Sequence, residues 1–229
     1  MKTQCLSLRA AAALLALAAL ALSAFAAAPA RGLLFSAFLF DRTPLAERWA
    51  VLRPEAERLF PALKLKAIAD LHVTVVYIGG EWDAEKLAGL RQAVTLPLRE
   101  AVALVPEVAF FGRGNRVVAI ELQGFPDEFR ERVIGIKKSL SQAGVKRPEP
   151  YDDTFRPHVT LAEAPDSPPT GEQARQLDAF RLWISERLDL TTLQVTLDPG
   201  MPIRWLLADA PRSAPIPEYV PVETHVNGE

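Results

Sequence analysis

One four-residue pattern occurs twice and limits the folds that suit this chain. His72-Val73-Thr74-Val75 and His158-Val159-Thr160-Leu161 both alternate polar and apolar residues. This alternation is typical of a strand with one face against a core, and it places His and Thr together on the other face. Two of the chain's three histidines open the pattern, and the third is His225, so chance is a poor explanation. The repeat predicts two similar halves, each with an imidazole beside a hydroxyl.

The rest of the chain alternates between strand and helix patterns. Gly112 to Asn115 has turn chemistry throughout and predicts a hairpin between its flanking apolar runs. The glycine-rich strand-to-helix turn of a nucleotide-binding parallel sheet is missing from the sequence, so we predict the α+β class. Strands are predicted at 33–40, 71–78, 101–111, 117–122, 159–162, 188–197 and 203–208, and helices at 54–63, 83–94, 126–144 and 173–185.

The two ends of the chain differ from its middle. Residues 10–22 are all Ala or Leu, and Ala24-Phe25-Ala26 follows as a cleavage-site pattern. This run is shorter than the roughly 18 to 20 residues that span a bilayer, so it predicts a signal peptide over 1–26 and export to a periplasm or the medium. An uncleaved membrane anchor is the alternative. Residues 31–210 form the predicted domain, and the proline-rich tail 211–229 is predicted to be extended or disordered.

Charge and cysteine content restrict the function further. The formal net charge is −2, which provides no general attraction to duplex nucleic acid. The one cysteine, Cys5, lies within the predicted signal peptide. The exported domain therefore has no thiol for disulfides or nucleophilic catalysis.

Two alternative roles for the histidines stay open from the residues alone. The first is structural, because a half-buried strand histidine often only binds a carbonyl group, and threonine is a good strand residue. The second is a metal site, because Asp70, Asp152 and Asp153 lie nearby in sequence. Against the metal site, the residue two before His72 is Asp70, whereas the residue two before His158 is Arg156, which cannot bind a metal.

The sequences around both motifs resemble those of the 2H phosphoesterase superfamily, in particular its RNA 2′,3′-cyclic phosphodiesterase branch, also called the 2′-5′ RNA ligase family. Leu71 to Gly79 is similar to the first motif with its trailing glycine, and Phe155 to Ala162 to the second with its leading Arg-Pro. The resemblance covers residues 31–210 and implies two pseudo-symmetric lobes with antiparallel sheets that face a central cleft, with helices outside. It also implies a monomer that needs no metal or cofactor.

The same resemblance implies the chemistry. Opening a cyclic phosphodiester needs a base that takes a proton from water and an acid that protonates the departing ribose oxygen. His158 is the implied base and His72 the implied acid, which would leave a 2′-phosphate, and reversed roles would give the other regiochemistry. The substrate is a small nucleotide or an RNA end, and the implied substrate-binding residues are Thr74, Thr160, Arg156 and Tyr77.

One position departs from that family pattern. Glu163 stands directly after Leu161-Ala162, where the RNA branch usually carries a basic residue. RNA specificity is therefore left open, as are two other functions: ligation or hydrolysis of another phosphate ester, and recognition of a phosphorylated ligand without turnover.

Overall fold

The computed structural model describes residues 33–79, 100–197, 203–208 and 219–221, with the backbone alone described for 204–208 and 219–221. The predicted signal peptide, the predicted helix at 83–94 and most of the proline-rich tail lie outside the described residues. Within them, no helix is long and apolar enough to span a membrane.

The described strands are joined by antiparallel pairing, and the predicted α+β class is confirmed. In chain order they are β1 Leu33–Leu39, β2 Lys64–Leu65, β3 His72–Gly79, β4 Val102–Phe111, β5 Val117–Gln123, β6 His158–Glu163, β7 Val195–Leu197, β8 Ile203–Ala208 and β9 Tyr219–Pro221. Their order across the sheet is β7-β4-β5-β6-β3-β1-β8-β9, and β2 pairs with β6.

The sheet divides where the two motif strands meet. β3 pairs along its length with β1, and β6 pairs along its length with β5. Between β3 and β6, by contrast, the pairing is Val73 with Val159. This narrow junction separates a β1–β3–β8–β9 half from a β4–β5–β6–β7 half. That two lobes face each other across a cleft stays a prediction.

The helices are α1 Pro44–Leu59, α2 Asp127–Gln142 and α3 Gly171–Arg187, with a short 3₁₀ helix at Ile68–Asp70. α2 contacts β3, whereas α3 contacts β4 and β5. Val73 and Val159 are fully buried in the same core as residues of all three helices. The motif histidines and threonines therefore lie on the opposite face of the sheet from that core.

The predicted helix at 54–63 was wrong at both ends, because the helix spans Pro44–Leu59. The helix begins ten residues earlier, at Pro44, where the Thr43 hydroxyl accepts a hydrogen bond from the Ala46 amide at 3.4 Å. Pro54 lies inside the helix, although an internal proline costs about 3 kcal/mol. Core contacts hold the same helix in place: Trp49 is fully buried, and its ring packs edge-on against Phe180 at 6.1 Å between centroids.

The predicted strand at 188–197 was also too long, because only Val195–Leu197 forms a strand. Asp189 has a positive φ of 46°, and its carboxylate accepts hydrogen bonds from Thr191 and Thr192 at 2.7 Å. These bonds build a turn that competes with an extended backbone. In the tail, Tyr219–Pro221 adds an extended strand beside β8.

Candidate active site

The two motif strands bring the paired histidines and threonines together. β3 and β6 run antiparallel and pair at Val73 and Val159, so an approximate twofold axis passes between these two valines. In that register His72 stands across from Thr160, and Thr74 stands across from His158. All four side chains are half-buried, whereas the two valines are fully buried. The His-Thr pair of each motif therefore lies directly across from the His-Thr pair of the other motif.

The same backbone contact orients both imidazoles. His72 Nδ1 lies 2.7 Å from the carbonyl oxygen of Asp70, and His158 Nδ1 lies 2.8 Å from that of Arg156. A carbonyl oxygen only accepts, so Nδ1–H is the donor in both contacts. Nε2 is then the nitrogen that exchanges protons in each ring. In both motifs the carbonyl belongs to the residue two positions before the histidine, which continues the repeat beyond the motif itself.

The charged neighbours of the two histidines differ. Burial lowers the pKa of His72 to about 4, and the positive charges of Lys66 and His158 add to this effect, against the opposing hydrogen bond to Asp70. Burial also lowers the pKa of His158. There the hydrogen bond to the Arg156 carbonyl and the carboxylate of Glu121 act in the opposite direction, whereas the positive charge of Arg156 adds to the lowering. Both pKa values thus lie below that of a free imidazole, and at His158 the carboxylate of Glu121 offsets part of the lowering.

This difference comes from equivalent positions on the two neighbouring strands. In the sheet register Leu39 of β1 opposes His72, whereas Glu121 of β5 opposes His158. Arg156 donates to both Glu121 oxygens, at 2.8 and 2.6 Å, and so fixes the carboxylate beside the second motif. The pKa of Glu121 is lowered, first by this hydrogen bond. Glu121 thus stays ionised.

An aromatic ring packs against each imidazole. Phe111 of β4 stacks on His158 with 3.9 Å between ring centroids and 19° between the planes. Phe35 of β1 lies 4.9 Å from the ring of His72 at 33°. The Arg156 guanidinium carbon also lies 4.4 Å from the centre of the Phe111 ring. These contacts restrict the rotation of both imidazoles.

A β-bulge in each motif strand brings one further residue onto the site face. The register of β1 with β3 shifts between Thr74 and Val76, and that of β5 with β6 shifts between Thr160 and Ala162. Simple alternation would put Tyr77 and Glu163 on the core side. The shifts instead place both on the face of the motif histidines. Tyr77 is 39% exposed, so it is available to a ligand, as its predicted role requires.

Arg156 and the two arginines of the hairpin region, Arg113 and Arg116, have different surroundings. Arg156 lies at the site but is paired with Glu121. Arg116 donates to the Ala164 carbonyl oxygen at 3.1 Å, and Arg113 is exposed in the hairpin turn. Direct contact of Arg156 with a phosphate stays a prediction.

The residues of the alternative metal site are not gathered. Asp152 accepts from the Lys146 ammonium through both oxygens at 2.7 Å. Across the described ranges, no three His, Cys, Asp or Glu side chains form a group suited to a metal ion.

Sequence reasoning missed three residues of this site, Glu121, Phe111 and Lys66. Glu121 had a readable signal, since it is the one charge within the apolar strand Val117–Gln123. No sequence signal pointed to Phe111 or Lys66, because both come close to the motifs through contacts with segments that are far away along the chain.

Solved structures with the same fold exist. E. coli LigT complexed with NADP⁺ is 19% identical with a TM-score of 0.50, over 85% of this chain and 95% of that chain. E. coli LigT complexed with 3′-AMP is 18% identical with a TM-score of 0.50, over 84% and 95%. The protein TT0787 of Thermus thermophilus is 20% identical with a TM-score of 0.50, over 83% and 95%. No family profile and no curated protein sequence matches the chain. The resemblance drawn from the motifs is thus confirmed at the level of the fold.

Proposed function

We propose that this protein hydrolyses a cyclic phosphodiester, the 2′,3′-cyclic phosphate of a nucleotide or RNA end, with two histidines as general base and general acid. The juxtaposition of the two His-Thr pairs across Val73 and Val159 carries this proposal. Two proton-transfer groups on either side of one point suit an in-line displacement, in which one side activates water and the other protonates the leaving oxygen. Simple recognition of a phosphate has no need of two such groups.

The charged neighbours favour His72 as the base and His158 as the acid, the reverse of the assignment implied by the family resemblance. Neutral His72 takes a proton at Nε2 from the attacking water while the water oxygen bonds to phosphorus. The bond from phosphorus to one ribose oxygen breaks, and protonated His158 gives that oxygen its proton. The positive charge of Lys66 disfavours protonation of His72, whereas the carboxylate of Glu121 favours protonation of His158.

The threonines and Tyr77 complete the proposed site. The hydroxyls of Thr74 and Thr160 donate to the non-bridging phosphate oxygens and stabilise the charge that develops there. Tyr77 stacks on the base of the nucleotide from the rim of the same face. The predicted export of the chain makes free cyclic nucleotides and fragments of degraded RNA the substrates to test first.

The test is incubation of the protein with the four nucleoside 2′,3′-cyclic monophosphates in EDTA, with products identified by phosphorus NMR. Ring opening that persists in EDTA and is lost in His72→Ala and His158→Ala supports the proposal. His225→Ala is the control, because that histidine lies outside both motifs. Activity that EDTA abolishes, or that survives both replacements, overturns it.

The two roles are separated by the leaving group. A cyclic substrate with sulfur in place of the departing ribose oxygen needs little protonation as it leaves. His158→Ala should recover activity on this substrate, whereas His72→Ala should not. If only His72→Ala recovers activity on this substrate, His158 is the base and His72 the acid.

A further inference from the structure

The environment of Lys66 points to a further role in the site. Its amide donates to the Leu161 carbonyl oxygen at 2.9 Å, which fixes it to β6 at the bulge. Its own carbonyl oxygen accepts from the Trp49 indole at 2.9 Å. Both backbone groups are therefore held, so the position of the side chain is determined by the fold and not by a flexible loop.

The ammonium of Lys66 is buried with a weak partner. Its side chain is 10% exposed, and Nζ lies 3.5 Å from one oxygen of Glu163. A buried ammonium needs close pairing, and it has three N–H donors. Lys146 shows how this protein satisfies a buried lysine in a structural role: its Nζ contacts both Asp152 oxygens at 2.7 Å and the Arg147 carbonyl oxygen at 3.1 Å. By comparison the Lys66 pair is loose.

The Lys66–Glu163 pair also lies at the reacting groups. The bulge in β6 places Glu163 on the face of His158 and Thr160, and the charge of Lys66 reaches His72. An anionic phosphate bound between the two motifs would therefore meet a cation whose one side-chain contact within the described residues is weak, and beside it a carboxylate that repels negative charge.

We infer that Lys66 binds a phosphate oxygen of the substrate and that Glu163 limits the charge this site accepts, so that the pair selects a singly charged phosphodiester over a doubly charged monoester. The inference rests on the proposed function for the identity of the substrate. A cyclic diester carries one negative charge, and ring opening gives a monoester with close to two at neutral pH. The pair would thus admit the substrate and favour release of the product.

Binding of adenosine 2′-monophosphate, measured by calorimetry, tests this without requiring turnover. Lys66→Met should weaken binding about ten- to a hundredfold, and Lys66→Arg should restore much of it. Lys64→Met is the matched control, because Lys64 lies two residues before Lys66 and opposes Glu163 in register, and it should bind like the unmodified protein. Glu163→Gln should tighten binding about three- to tenfold above pH ~7, where the monoester is doubly charged, and by less near pH ~5.

A second measurement separates a charge effect from damage to the fold. Removing the Lys66 cation should raise the pKa of His72, observed by NMR of its ring proton, whereas Lys64→Met should leave it unchanged. The inference is overturned if Lys66→Met binds as tightly as the unmodified protein, if Glu163→Gln weakens binding, or if the unmodified protein does not bind the probe even near pH ~5, where the monoester carries one charge. Absence of cyclic phosphate hydrolysis with intact, Lys66-dependent binding would instead overturn the proposed reaction alone.

Discussion

Glu121→Gln should lower the pKa of His158 and leave the fold intact. Glu121 opposes His158 in the sheet register and holds Arg156 through both oxygens. The substitution removes the carboxylate that favours the imidazolium. It also leaves the guanidinium of Arg156 without its carboxylate partner, and that positive charge disfavours the imidazolium. The two effects act in the same direction.

The magnitude follows from the geometry of the strand pair. Opposed residues of an antiparallel pair have β-carbons about 5 Å apart, so the two charges lie about 6 Å from each other. With an effective dielectric constant between about 20 and 80, the interaction is about 0.7 to 2.8 kcal/mol, or about 0.5 to 2 pKa units. The Glu121 side chain is only 11% exposed, which favours the upper half of that range.

NMR titration of the histidine ring protons measures this pKa shift directly. The chain has three histidines, so replacing each one by Gln in turn assigns every histidine signal. Glu107→Gln is the control: Glu107 opposes Glu121 on the next strand and is exposed, so the same charge is removed farther from His158. In the rate profile of kcat/KM, Glu121→Gln should move the alkaline limb to lower pH, since the acid must be protonated. An unchanged pKa of His158, or an equal shift in Glu107→Gln, would refute this electrostatic reasoning.

Three further predictions concern catalysis, stability and export. In steady-state assays, replacing either motif histidine by alanine should lower kcat about a hundred- to ten-thousandfold. Replacing either motif threonine by alanine should lower kcat about ten- to a thousandfold. The loss of kcat in the double histidine variant should be much smaller than the product of the two single losses. The pKa of His72 is about 4 in the folded protein against 6.5 for a free imidazole, so the unfolded chain binds more protons between these two pH values. Urea titrations should therefore show about 3 kcal/mol of folding stability that is present above pH 6.5 and is lost as the pH falls to about 4. The His72→Gln variant should not show this pH dependence. N-terminal sequencing of protein from an extracytoplasmic fraction should begin near Ala27, and an intact Met1 on the recovered protein would contradict export.

The chemistry of this site was readable from the sequence because it depends on local spacing. The side chains of His72 and Thr74 share a face by the two-residue period of a strand, whatever the rest of the chain does. The hairpin at Gly112 and the strand at Ile203–Ala208 were likewise predicted from local turn and apolar signals. Local rules were sufficient for these elements because no distant contact opposed them.

The same alternation rule failed at Tyr77 and Glu163. A bulge adds one residue to a strand, and nothing in the motif residues themselves marks where it occurs. Lys66 was missed for another reason: it follows β2 and reaches the site through a backbone hydrogen bond to Leu161 of β6, nearly a hundred positions away in sequence. Periodicity describes the face a residue takes on its own strand, but it carries no information about which strand becomes the neighbour.

The near-symmetry of the two motifs poses a physical problem that the surrounding residues solve. General acid–base catalysis needs one neutral and one protonated imidazole, yet both histidines have the same strand position, the same carbonyl contact and an aromatic neighbour. Two identical sites would titrate alike. Leu39 opposes His72 where Glu121 opposes His158, and Lys66 adds its positive charge on the His72 side. The repeat therefore provides the opposed geometry. Burial lowers the pKa of both histidines, and the unrepeated charges outside the motifs then act in opposite directions, with Lys66 lowering the pKa of His72 and Glu121 raising that of His158.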